Sequence, residues 1–409
     1  MIRRAAHLID NILWAVTACS AAYVAFFATA DRIVRRRKST GKTSNATRDD
    51  KAGGAGNQCK TADGTDSKRR FLVIFPAYSE DKVITSSVER FLRQDYPAAL
   101  YDVTVVSDHQ QRETDEALRR LGVTVLTPSF ERSTKAAALQ YAVRCGSHNY
   151  DYVVVLDADN VTEASFLTAL DTVCGEGHKV VQCHRQAKNR DTDVSALDGV
   201  SEEINNTLFR SAHNAVGLSA SLIGSGMCID YDWFAAHVGM LTTAGEDREL
   251  EALLLADNIY IKYAEDIPVY DEKVSDADNF ARQRGRWLAA QLHSLVTMLP
   301  HIPHAIRTRN VNYIDKTVQQ ALVPRSMLVV TVTALTALSS VAAPGRARKW
   351  QGLLAVLLAA LSLAVPSRLR TRSLAAKALT ALKLTGRMFK AASHATVDNG
   401  EFTHTRHDK

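Results

Sequence analysis

Three stretches of this chain carry no charged side chain: Asn11–Ala30, Ser326–Gly345 and Trp350–Ser367. Twenty helical residues rise about 30 Å, one hydrocarbon core, so each window must be buried in a bilayer or against other protein. The first is expected to be a membrane anchor. Arg3 and Arg4 precede it as in a secretory leader, but the apolar run is long and ends at Arg35-Arg36-Arg37-Lys38 instead of a small-residue cleavage site. The other two are expected to form a membrane hairpin joined by the basic segment Arg346–Lys349. Both are rich in Ala, Ser and Thr, so a buried helical pair in a soluble domain is the alternative.

The net charge of +6 over 409 residues raises anionic partners, and the basic residues decide which. They border the apolar runs and form no stripe interleaved with aromatic platforms, which argues against nucleic acid and for a lipid bilayer. The Arg35–Lys38 cluster places the next part of the chain on the cytoplasmic side, giving a multi-pass membrane protein with a cytoplasmic catalytic domain. The basic Arg346–Lys349 connector conflicts with that rule, since three spans put it outside. The six cysteines follow no CxxC or zinc spacing, and His109, His184 and His213 read as ordinary polar or solvated histidines.

The expected organisation is an anchor over residues 1–38, a polar linker over 39–69, a catalytic domain over 70–300 and interfacial amphipathic helices over 301–325. The hairpin occupies 326–367, then an interfacial helix and tail 368–409. The linker's "TGKT" and "GGAGNQC" lack the glycines of nucleotide-binding loops. From Arg70, short Val-rich runs alternate with amphipathic stretches. "FLVIFPAY", "DVTVVSD", "VTVLTP" and "YVVVLDAD" read as strands buried on both faces, hence an α/β fold with a doubly wound parallel half. "GLSASLIGSGMCI" reads as an apolar turn and "IYIKYAEDIPVY" as a later strand.

Ligands of such sheets sit beyond the carboxyl ends of the strands. Tyr78 with Glu80, Asp108, and Asp157 with Asp159 are expected there. In extended backbone Asp157 and Asp159 would project to one side and share a hard cation; as helix caps they would serve equally well. Glu246 and Asp247 in "GEDRELE" suit a general base at a helix start, although simple compensation of the helix dipole explains them locally. Gln283, Arg286 and Trp287 fall within one helical turn, an amide, a guanidinium and an indole suited to a diphosphate and a sugar ring; an interfacial Arg/Trp belt is the alternative. Arg282 and Arg284 are assigned to the helix surface or to lipid.

The order of these motifs resembles glycosyltransferase family 2, in particular the membrane-bound branch of cellulose, chitin and hyaluronan synthases with its D, DxD, (T/E)D, QxxRW pattern. The resemblance spans roughly residues 70–291. It implies a GT-A nucleotide-diphospho-sugar transferase fold, a Rossmann-like mixed sheet flanked by transmembrane helices. By the match, Pro76, Tyr78 and Glu80 hold the uridine and Asp108 reads the uracil or ribose. Lys135 lies near the diphosphate, Asp157 contacts the nucleotide-sugar, and Asp157 with Asp159 binds Mg2+ or Mn2+. Asp247 is the catalytic base. Gln283, Arg286 and Trp287 face the acceptor and diphosphate, as does the loop of Gly224, Ser225 and Gly226. Gly245 departs from the pattern by replacing a Thr, and the gating loop and the many later helices of cellulose synthases are missing.

The implied function is inverting transfer from a UDP-sugar to a glycan or lipid-linked acceptor, in polysaccharide synthesis. The alternatives are a non-processive transferase adding one sugar to a lipid or cell-surface glycan, and a non-catalytic membrane scaffold.

Overall fold

The computed structural model describes residues 2–45, 68–147, 149–243, 245–370, 380–381 and 383–387. Most of the expected linker, with "GGAGNQC", and most of the C-terminal segment lie outside the described residues. The chain opens with helix α1 (Ile2–Asn45) and enters the sheet at β1 (Phe71–Tyr78), followed by α2 (Ile84–Phe91), β2 (Tyr101–Asp108), α3 (Arg112–Arg120) and β3 (Thr124–Leu126). Next come α4 (Lys135–Cys145), β4 (Tyr152–Val155), β5 (Val161–Thr162), α5 (Phe166–Gly175), β6 (Val180–Ala187) and α6 (Asp193–Asn205). Through a π-helical turn, Asn206–Ser211, α6 runs into α7 (Ala212–Ala215), ahead of β7 (Met227–Asp230), α8 (Tyr231–His237), α9 (Glu246–Ala256) and β8 (Ile261–Asp271). The remainder is helical: α10 (Ala277–Met298), α11 (Ile302–Arg307), α12 (Val311–Ala321), α13 (Arg325–Ala342) and α14 (Pro344–Ala364).

The run "FLVIFPAY" is apolar at successive positions because β1 is central. Leu72 and Ile74 enter one core and Phe71, Val73, Phe75 and Ala77 the other. The strand order is β3-β2-β1-β4-β7-β6-β8-β5. The first four strands are parallel, β7 runs antiparallel to β4 and β6, and β5 runs antiparallel to β8. The sheet is therefore mixed, as expected, with its first half parallel and a further parallel pair, β6 with β8, in the second. Part of "GLSASLIGSGMCI" is β7, not a turn. Met227, Cys228 and Ile229 are too short a run to show period-2 alternation, and they bury both faces.

The strand expected over "YVVVLDAD" stops at Val155, and residues 156–160 form a turn closed by the Asn160 amide donating to the Asp157 carbonyl at 3.0 Å. Asp and Asn favour such turns because their side chains bond nearby backbone. Here the Asn160 side-chain oxygen accepts from the Asp157 amide at 3.0 Å.

Three helices are long and apolar enough to cross a membrane: His7–Arg37, Arg325–Ala342 and Pro344–Ala364. They pack together through Ala21, Leu328, Val332, Leu357 and the fully buried Trp350. The basic residues Arg346–Lys349 form no connector. They lie within α14, where Lys349 pairs with Asp10 at 2.6 Å, Arg346 at 3.6 Å, and the Trp350 indole donates to Asp10 at 2.9 Å. The far end of α1 fastens to the catalytic domain. The Phe27 ring stacks on His213 at 3.8 Å, and the Tyr23 hydroxyl donates to Asp315 at 3.0 Å.

α12 does more than lie on a surface. Its Lys316 is buried and donates to Ser221 at 2.5 Å and pairs with buried Glu251 at 2.9 Å. Lys316→Met would strand the Glu251 carboxylate inside the protein, at a cost of about 3–5 kcal/mol. Thermal unfolding of the detergent-solubilised protein checks this: a clear drop in Tm is expected for Lys316→Met, and a Tm equal to that of the wild type would contradict it.

Candidate active site

Thr134 caps α4 by accepting from the Ala137 amide at 3.0 Å, which sets Lys135 on the first turn at the edge of the sheet. Its ammonium lies 2.5 Å from Asp157 Oδ1, 2.5 Å from the Gly224 carbonyl and 3.5 Å from Glu246 Oε1. Burial alone would lower its pKa, but the Asp157 and Glu246 carboxylates outweigh that and raise it to about 12. Gly224 holds φ +70°, and a Cβ there would stand 3.3 Å from Glu246 Oε1 and 3.5 Å from Lys135 Nζ, so glycine lets the loop approach the ion pairs.

The two aspartates of the turn differ. Asp159 is buried, with Oδ2 accepting from the Glu272 amide at 2.7 Å and Oδ1 from the Asn160 side chain at 3.1 Å. Asp157 is more open, its side chain 35% exposed. Ser225 and Gly226 lie beneath the turn. Ser225 Oγ accepts from the Asp157 amide at 3.3 Å and bonds the Asn160 side chain, and the Gly226 amide donates to Val155 at 2.9 Å.

Glu246 and Asp247 begin α9, as the sequence suggests, with three carboxylates in the first turn. Asp247 is half-buried and accepts from the Arg248 amide at 2.8 Å. The glycine before them has a steric cause: a Cβ at Gly245 would stand 3.1 Å from Ala290 Cβ on α10. The Thr243 hydroxyl accepts from the Gly245 amide at 3.2 Å.

One cavity of about 900 Å³ is lined by Pro76, Glu80, Lys135, Asp157, Asp159 and Gly224, and also by Asp247, Gln283, Arg286 and Trp287. Four expected residues are not among its lining: Tyr78, Asp108, Ser225 and Gly226. Tyr78 and Asp108 end adjacent strands in register. Asp108 bonds His109 Nδ1 at 2.6 Å, and the Tyr78 and His109 rings meet edge to face at 5.3 Å. His184 is buried between Glu203 at 3.1 Å and the Glu265 carbonyl at 2.9 Å, a satisfied polar histidine.

Arg284 corrects the surface assignment. Its guanidinium is mostly buried in the cavity wall, pairs with Asp198 and stacks on the Trp287 ring at 4.3 Å. Arg282 is exposed and bonds Asn279. Behind Arg284 lies an ionic cluster that no sequence motif announces. Glu202 meets Arg210 at 3.2 Å, Arg185 at 3.3 Å and Lys273 at 3.9 Å, while Lys273 also pairs with Asp271 at 2.9 Å. Burial would raise the Glu202 carboxyl, but Arg185, Lys273 and Arg210 hold it well below the usual range. The π-helical turn supplies Arg210, which also donates to Asn206 at 2.6 Å.

Burial pushes the Glu246 carboxyl up to about 7, against the pull of Lys135 and with the help of Asp247. The folded state thus keeps a proton that the unfolded chain releases near pH ~4.3, so stability falls as pH rises from there to about 7 and then levels. Glu246→Gln fixes the neutral form. Melting curves should show wild type losing on the order of 1–3 kcal/mol relative to Glu246→Gln between about pH 5 and 7.5. Parallel pH profiles for the two proteins would contradict the assignment.

Among solved structures, the chain is similar to the mannosyltransferase PcManGT from Pyrobaculum calidifontis, in complex with GDP-Man and Mn2+. The identity is 17% and the TM-score 0.53, over 93% of this chain and 99% of that one. It is similar at TM-score 0.43 and 14% identity to TarS 1–349 of S. aureus, over 79% of this chain and 89% of that one. For glucosyl-3-phosphoglycerate synthase of Mycobacterium tuberculosis, with Mn2+, UDP and glucosyl-3-phosphoglycerate, the values are 0.39 and 17%, over 55% and 80%. The first likeness shows the shared GT-A-like fold. No curated protein matches the chain. The family model described as "Glycosyltransferase like family 2" matches residues 69–290, more than half of the chain. With the mixed α/β sheet and the motif order, that match makes this protein a glycosyltransferase of the family 2-like group.

Proposed function

We propose that the chain is a membrane-bound, inverting glycosyltransferase that moves a sugar from a UDP-sugar to a glycan or lipid-linked acceptor. The observation that carries the reading is the sharing of one cavity by Asp157, Asp159, Asp247, Arg286 and Trp287. Asp247 takes the proton of the acceptor hydroxyl, whose oxygen forms the new bond to the anomeric carbon. The carbon–oxygen bond to the diphosphate breaks on the opposite face, and its electron pair leaves with UDP. Arg286 opens onto the cavity and suits the phosphates; the indole of Trp287 suits the acceptor sugar.

Asp157 and Asp159 fit a divalent cation, Mg2+ or Mn2+, that arrives with the diphosphate. Both are carboxylates that line the shared cavity, and among the described residues no cluster of three or more His, Cys, Asp or Glu could hold an ion alone. When bound, such an ion stabilises the charge that develops on the leaving diphosphate. Lys135 neutralises Asp157 from the protein side and keeps the turn in place.

Three apolar helices support a multi-pass membrane protein. So does a run of exposed apolar residues over α10 to α12: Leu292, Val296, Leu299, Ile306, Val311 and Val318. Pairing of Arg346 and Lys349 with Asp10 reduces the positive charge at the far end of the bundle, which supports a cytoplasmic catalytic domain beside Arg35–Lys38. The motif order favours the processive branch and a role in polysaccharide synthesis. Single addition to a lipid is the second reading, favoured by the cavity wall that Val24, Val329 and Leu361 contribute from the apolar helices.

Asp247→Asn should cut transfer by roughly 10²–10⁴-fold while leaving UDP binding intact. Radiolabelled sugar transfer with purified protein and a UDP-sugar panel measures it, and near-normal turnover by the variant would remove Asp247 as the base. The length distribution of the products separates polymer synthesis from single addition.

A further inference from the structure

Acids outnumber bases over the whole lining of the cavity that holds Asp157 and Asp247, but one part of it, buried or half-buried, gathers more basic groups than the acids they pair with. Arg185, Arg210, Lys273, Arg284 and Arg325 line it, and the acids they meet are Asp198, Glu202 and Asp271. Arg325 donates to neutral groups: the Ser201 carbonyl at 3.1 Å, the Ser201 hydroxyl at 3.4 Å and the Asn205 amide oxygen at 2.6 Å. Beside it, Arg284 Nε and Gln283 Oε1 are buried without a hydrogen-bond partner among the described residues. An uncompensated buried cation is costly, and the guanidinium fork matches phosphate oxygens in pairs.

The position of the excess identifies the anion. Arg325 is the first residue of α13, one of the helices able to cross a membrane, and the same cavity is walled by Val24, Met327, Val329 and Leu361 from α1, α13 and α14. A ligand that fits both features has an anionic head and an apolar chain. We propose that Arg284 and Arg325 hold the phosphate of a lipid-linked acceptor, whose chain lies along the apolar helices and whose receiving group reaches Asp247. This rests on the reading of Asp247 as the base and narrows the acceptor from any glycan to a phosphate-bearing lipid.

The test uses full-length protein in phosphatidylcholine nanodiscs, with phytanyl phosphate as the probe and phytanol and inorganic phosphate as comparators. Phytanyl phosphate should bind at least roughly tenfold more tightly than either, and Arg325→Gln and Arg284→Gln should each weaken it by roughly tenfold. Binding of Mn2+–UDP by both variants reports an intact fold and donor site. Equal binding of phytanol, equal binding of inorganic phosphate, or lipid-phosphate affinity unchanged in both variants would overturn the proposal. Competition between UDP and phytanyl phosphate would also overturn it, by making the cluster part of the donor site. If phytanyl phosphate binds through Arg325 but no sugar nucleotide is turned over, the transfer reading and the acceptor role fail together, and only a lipid-phosphate site remains. Turnover without lipid-phosphate binding sinks this inference alone.

Discussion

The Lys135 ammonium ties together three segments that are far apart in sequence. Within 3.5 Å it meets Asp157 from the turn after β4, the Gly224 carbonyl from the loop before β7, and Glu246 from the start of α9. Asp157, Asp247 and, once it ionises, Glu246 would otherwise repel one another around a half-buried hollow, and the lysine supplies the opposite charge at their centre. Its own position is set one level down, by the Thr134 cap that starts α4. Gly224 and Gly245 are the steric counterparts of this electrostatic knot, since both allow backbone to pass where a side chain would collide.

A second level of organisation connects the sheet to the apolar helices. Lys316 joins α12 to Glu251 of α9, and Arg325 carries the start of α13 onto Ser201 and Asn205 of α6. On the other side His213 receives Phe27 and Tyr23 of α1. The helical bundle is thus fastened to the rest of the protein at two of these places, Arg325 and His213. Such contacts add little stability relative to apolar packing but are costly to break, which favours one fixed docking of bundle on domain. Under the proposed function, a cavity shared between the two parts needs that fixity to present an acceptor to Asp247.

Much of the candidate site was legible in the sequence because its residues sit in short local patterns. "LDAD", "GED" and "QRGRW" each place their groups within a turn of one another, and the structure brings Asp157, Asp159, Asp247, Gln283, Arg286 and Trp287 to one cavity. The fold's first half was legible for a similar reason: strands such as β1 are apolar on both faces. β7 was hidden by its length, and the bent backbone of the Asp157–Asn160 turn by the apparent continuity of "VVVLDAD" with a strand. The Glu202 cluster left no local trace. Arg185, Arg210, Lys273 and Glu202 come from four separate segments, and each looks like an ordinary surface charge until the tertiary structure pairs them. Arg284 was misread for the same reason, since its neighbour Asp198 is 86 residues away.

The proposed function depends most on the Asp157–Asp159 turn and Lys135 forming a seat for a nucleoside diphosphate and a divalent cation. Equilibrium binding of UDP to the purified protein, with Mn2+ and then with chelator in its place, tests this directly. Binding should depend on Mn2+ and be lost in Asp159→Asn. Equal UDP affinity in chelator, or Mn2+-dependent binding unchanged in Asp159→Asn, would contradict it.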